Sequence, residues 1–82
     1  MLTKEIKSLL RPVVRSNGVK QTYITIHQSW ANNKDQPFKY WVRLHLERLL
    51  SYEMQRPVDI GDINDNTANA VMSWISRFAE RG

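Results

Sequence analysis

No cysteine occurs among the 82 residues. That absence excludes a disulfide framework, a thiolate zinc site and a cysteine nucleophile, and it favours a cytoplasmic location. With only three glycines and three prolines, the chain is neither collagen-like nor low in complexity. No apolar run approaches the roughly 18–20 residues of a membrane span, and the N-terminus MLTKEIKSLLRP lacks the continuous apolar stretch of a signal peptide. The two histidines, His27 and His45, lie far apart with no cysteine to join them in a metal site. Asp59, Asp62, Asn64, Asp65 and Asn66 are spaced somewhat like a calcium loop, but counting from Asp62 the glycine and glutamate positions are held by Thr67 and Ser73. There is no phosphate-cradling glycine loop, no nucleophile elbow and no H-E-x-x-H helix. The chain by itself is therefore not expected to be an enzyme, and no catalytic residue, metal or cofactor is nominated. Neither a membrane nor a small-molecule substrate is expected as a partner.

What the chain does hold is a composition suited to one small folded domain, with 41% hydrophobic and 24% charged residues. Its net charge is +4, from twelve Lys and Arg against eight Asp and Glu. The charge is unevenly placed: residues 1–56 carry ten basic and four acidic side chains, whereas residues 57–82 carry two and four. Such an asymmetry gives a folded domain a positive side wherever the basic helices share a face, and long-range attraction to phosphate follows from it.

Hydrophobic periodicity predicts an all-α fold, a small helical bundle of three main helices plus a short N-terminal helix. Leu2, Ile6, Leu9, Leu10, Val13 and Val14 form a helical stripe that Pro12 interrupts, so the first helix is expected over Lys4–Leu10, with a turn at Ser16-Asn17-Gly18. Within 19–32, Val19, Tyr23, Ile26 and Trp30 recur at helical steps, while Thr22, Ile24, Thr25 and Ile26 are β-branched. A helix is favoured because no second alternating run exists with which a strand could pair. A polar loop follows, in which Asp35 is the expected cap and Pro37 a first-turn residue of a long amphipathic helix reaching about Met54. Pro57 and Gly61 make 55–63 an extended connection from which Ile60 and Ile63 reach the core. The last helix starts near Asp65-Asn66-Thr67 and closes with a left-handed cap at Gly82. Residues 1–18 are thus read as a short N-terminal helix and turn, and 19–82 as the main helical domain. The expected core is Val19, Tyr23, Ile26, Trp30, Trp41, Val42, Leu46, Leu49, Ile60, Ile63, Val71, Ile75 and Phe78.

Three tryptophans, Trp30, Trp41 and Trp74, are a possible stacking platform for bases, but their helical spacing with other apolar residues favours packing. The more suggestive group is Lys34, Lys39 and Arg43. Lys39 and Arg43 are one helical turn apart, and Lys34 lies in the loop feeding the same helix end, where free amides and the helix dipole also favour phosphate. The plainer alternative is a solvated helix face with Arg43 paired to Glu47.

The run Pro37-Phe38-Lys39-Tyr40-Trp41-Val42-Arg43-Leu44-His45-Leu46-Glu47-Arg48-Leu49-Leu50, the segment Arg56-Pro57-Val58-Asp59-Ile60-Gly61-Asp62-Ile63 and the ending Trp74-Ile75-Ser76-Arg77-Phe78-Ala79-Glu80-Arg81-Gly82 carry a resemblance. From about Lys20 onward the chain resembles the N-terminal core-binding domain of phage-type tyrosine recombinases (integrases). Asp35-Gln36-Pro37 stands where that family usually has a serine or threonine. The resemblance implies a compact helical half-clamp that binds double-stranded DNA and positions it for a separate catalytic domain in a phage or bacterial recombination reaction, with other recombinase protomers as further partners. It places Lys34, Lys39 and Arg43 near the DNA and assigns no catalytic role to Tyr23, Tyr40 or Tyr52. A helical protein-interaction module, or a non-enzymatic DNA-binding regulator, is the rival expectation.

Overall fold

The structure, a computed structural model, describes residues 1–80, and the cap expected at Gly82 lies outside them. Four α-helices follow one another: α1 (Thr3–Leu10), α2 (Asn17–Asn32), α3 (Phe38–Met54) and α4 (Asp65–Ala79). No strand occurs among the described residues, so the ambiguous β-branched segment of 22–27 is helical. α4 packs against the other three helices, and α2 against α3. No helix of the described residues is long and apolar enough to cross a membrane.

Local chemistry sets the boundaries. Glu5 reaches back to accept a hydrogen bond from the Leu2 amide at 2.8 Å, which satisfies a donor at the start of α1. α1 ends at Leu10, ahead of Pro12, as expected. The chain tightens into a 3-10 turn over Arg11–Val13, which tolerates a residue without an amide hydrogen at its start. Ser16 caps α2, its Oγ accepting from the Val19 amide at 3.4 Å, so Asn17 and Gly18 belong to the helix and not to the expected turn. At Gly18 a Cβ would stand 3.1 Å from Leu49 Cδ1, which lets α2 begin in close contact with α3.

The expected capping of α3 is corrected by the structure. Pro37 is itself the cap residue, Phe38 is the first helical residue, and no side chain caps this end. Asp35 is occupied otherwise, its amide donating to Asn33 Oδ1 at 3.0 Å within the loop. α3 terminates at Gln55, which adopts a left-handed conformation at φ 58°. Gly61 takes φ 68°, a conformation that glycine enters without the steric cost of a Cβ. α4 begins at Asp65, within the expected start, and Asn64 just before it is the cap, its Oδ1 accepting from the Thr67 amide at 2.8 Å.

Most of the expected core is buried, including Val19, Ile26, Val42, Leu46, Leu49, Ile60, Ile63, Val71 and Ile75. Tyr23, Trp41 and Phe78 are half-buried against it, as is Trp74. Trp30 departs from expectation: it is half-buried outside that cluster and packs edge-to-face on Phe38 with centroids 5.4 Å apart. Ile6, Leu10, Val14, Leu50, Ala68 and Met72 join the core although the expected set omitted them. Ile6 and Leu10 bring α1 into the same apolar interior as the three longer helices.

Candidate nucleic-acid interface

The loop between α2 and α3 is held from both sides. The Asn33 amide donates to the Ser29 carbonyl at 2.9 Å, and the Trp41 indole Nε1 donates to the Asn33 carbonyl at 3.2 Å. Deeper in the same helix pair, Ser29 Oγ and His45 Nε2 are joined by a 3.0 Å hydrogen bond. Burial, and secondarily the charge of Arg48, hold the His45 imidazole below its ordinary pKa of 6.5. The ring is thereby favoured in its neutral form.

On this scaffold the three nominated cations have different surroundings. Lys34 lays its ammonium 3.9 Å from the Trp30 ring centroid, a cation–π contact at the C-terminal end of α2. Lys39 stands in the first turn of α3 and lines a shallow recess of about 150 Å³ together with Pro37, Tyr40, Arg43, Asp62 and Ile63. That first turn leaves amides without a capping side chain. Lys39 and Arg43 thus share one recess, whereas Lys34 is held at the neighbouring tryptophan.

Arg43 is the hub of an acidic group. Its guanidinium pairs with Glu47 Oε2 at 3.4 Å, Asp59 Oδ1 at 3.6 Å and Asp62 Oδ1 at 3.5 Å. Glu47 Oε2 also accepts the Ile60 amide at 2.9 Å, and Asp59 Oδ1 accepts the Gly61 amide at 2.7 Å. Asp59 is held below its ordinary pKa, chiefly by that Gly61 hydrogen bond, with a smaller contribution from Arg43. The pairing of Arg43 with Glu47, weighed from spacing alone, is present, and two further carboxylates join it from the 55–64 connection. Asp59 and Asp62 have side-chain exposures of 79% and 102%, so these pairs are solvent-screened and weak.

A second basic group was not singled out from the sequence. Lys7 in α1 and Arg11 in the 3-10 turn both lie 5.6 Å from the Trp74 ring centroid, and Arg15 lies 5.7 Å from that of Phe78. The two rings pack edge-to-face 5.5 Å apart on α4. Steps of four residues from Lys7 to Arg11 to Arg15 are the signal that could have found it. Every ion pair among the described residues involves Arg43, and none involves these three.

No family model, curated protein or solved structure matches the chain.

Proposed function

We propose that this chain is a non-catalytic domain that binds duplex DNA and positions it for a separate catalytic domain, as the core-binding domain of a tyrosine recombinase does. The observation that carries the reading is the first turn of α3, where Lys39 lines a recess beside amides that no side chain caps, with Lys34 held over Trp30 in the loop that leads to it. Arg43 belongs to the same recess, and its exposed pairs with Asp59 and Asp62 are weak enough for a phosphate to exchange with them. The rival reading, a protein-interaction module, calls for an exposed aromatic anchor at Trp30 or Trp74. Both are half-buried and both carry cations.

Fluorescence anisotropy with a labelled duplex of about 20 base pairs, titrated at several salt concentrations, tests the proposal. Affinity is expected to be micromolar or poorer and to fall steeply with salt. The triple variant Lys34→Ala, Lys39→Ala, Arg43→Ala should flatten the logarithmic salt slope by somewhat under three units, at about 0.9 per phosphate contact. A charge-matched control is Lys20→Ala, Arg48→Ala, Arg56→Ala. Equal flattening by the control reduces the attraction to diffuse charge and defeats the proposal.

A further inference from the structure

We infer that the face formed by α1, the 3-10 turn and α4 is a second phosphate-binding surface, on which Lys7, Arg11 and Arg15 grip the backbone of duplex DNA. Spaced at four-residue steps along α1, the 3-10 turn and the residues just after it, the three cations make a row on the order of 12–15 Å long, at about 1.5 Å per residue in the α-helix and about 2.0 Å in the 3-10 turn. Duplex DNA carries a charge about every 1.7 Å of its axis, so a row of that length meets several phosphates.

Geometry distinguishes this row from an ordinary solvated helix face. Each cation lies over an aromatic ring of α4, at 5.6, 5.6 and 5.7 Å from its centroid. A ring fixes the position of a cation without neutralising it, which is the opposite of what three carboxylates do to Arg43. An arginine whose planar face rests on a ring also keeps its edge N–H donors free, and those donors match two oxygens of one phosphate. Arg11 and Arg15 are both exposed. The one acidic residue of α1, Glu5, is engaged by the Leu2 amide at 2.8 Å.

The same contacts select the ligand. Single strands are held by stacking bases on open aromatic faces, but the cations already cover Trp74 and Phe78. A membrane surface takes up exposed apolar anchors beside its cations, whereas these two rings are half-buried against the core. What the face offers outward is charge and hydrogen-bond donors, the chemistry of a phosphodiester backbone. It lies apart from the α3 recess, so it stands whether or not that recess binds DNA.

The experiment compares two variants of the full chain, Lys7→Gln, Arg11→Gln, Arg15→Gln and the α3 set Lys34→Ala, Lys39→Ala, Arg43→Ala, in the same salt titration. Three phosphate contacts amount to about a 40-fold loss of affinity between 50 and 200 mM salt, and the α1 variant should lose that increment. If only the α1 variant flattens the slope, the second surface stands and the α3 reading falls. Flattening by the α3 variant alone overturns the second surface and leaves the α3 reading in place. Wild-type NMR gives a readout that does not depend on a variant folding: addition of the duplex should shift the resonances of Arg11, Arg15 and the Trp74 indole. Their constancy at saturation overturns the inference, as does salt-sensitive binding to phosphatidylserine vesicles without binding to the duplex.

Discussion

Replacing Glu47 by alanine probes the junction between the core and the charged recess. Its Oε2 accepts the Ile60 amide at 2.9 Å and pairs with Arg43 at 3.4 Å, and its side chain is 19% exposed. Ile60 is 1% exposed, so its amide gains little from water once the carboxylate is gone. An unsatisfied donor of this kind costs about 1–3 kcal/mol, and the loss of a partly screened ion pair adds less than about 1. Alanine returns a few tenths of a kcal/mol as a better helix former, which leaves a net loss of about 0.7–3.7 kcal/mol. At roughly 4–8 °C per kcal/mol for a domain of this size, the melting temperature should drop by about 3–30 °C. Glu47→Gln keeps an acceptor oxygen and should cost about half as much, since a neutral acceptor makes a weaker bond than a carboxylate. Urea unfolding followed by circular dichroism measures both variants. A loss below about 0.5 kcal/mol for Glu47→Ala refutes the argument, because it means that the Ile60 amide depends on something other than this carboxylate.

Two further outcomes follow from burial. Leu50→Ala empties a side-chain site with 0% exposure, and chemical denaturation should register a loss of about 2–5 kcal/mol, with a loss under 1 showing that the site collapses or was loosely filled. His45 has its pKa lowered from 6.5, so the unfolded chain takes up the proton first: the stability this residue contributes is whole above about pH 6.5 and is lost as pH falls from there through the folded-state pKa. Melting temperatures should therefore decline on acidification from about pH 7.5 to about 5.5, and less so in His45→Gln; superimposable profiles for the two proteins sink the assignment.

The helices that were legible are those whose apolar period runs uninterrupted. In α3, Val42, Leu46, Leu49 and Leu50 repeat at helical steps and all lie in the core, and in α4 Val71 and Ile75 do the same. α2 was harder because β-branching and helical spacing pull in opposite directions. Tertiary packing decides it: Val19 and Ile26 enter the core, while Ile24 stays 37% exposed, at odds with the strand face on which it would have joined Ile26. In the N-terminal segment α1 ends at Leu10, ahead of Pro12, as expected, and what spacing did not reveal is how the chain continues. A 3-10 turn carries the chain through the proline in a nearly helical path. Ile6, Leu10 and Val14, four residues apart, consequently all reach the core.

Charges were less legible than apolar residues because spacing identifies a neighbour only within one helix. The Arg43–Glu47 pair is an i, i+4 contact and readable as such, but Asp59 and Asp62 reach Arg43 because the connection after α3 folds back, anchored by the buried Ile60 and Ile63. Likewise the four-residue steps of Lys7, Arg11 and Arg15 are plain in the sequence, while the rings beneath two of them belong to Trp74, more than sixty residues away. The two basic faces therefore differ in kind. On α3 an incoming phosphate competes with carboxylates for Arg43, and the exposure of Asp59 and Asp62 keeps that competition inexpensive. No ion pair among the described residues involves Lys7, Arg11 or Arg15, so an anion at that face would have no carboxylate to displace.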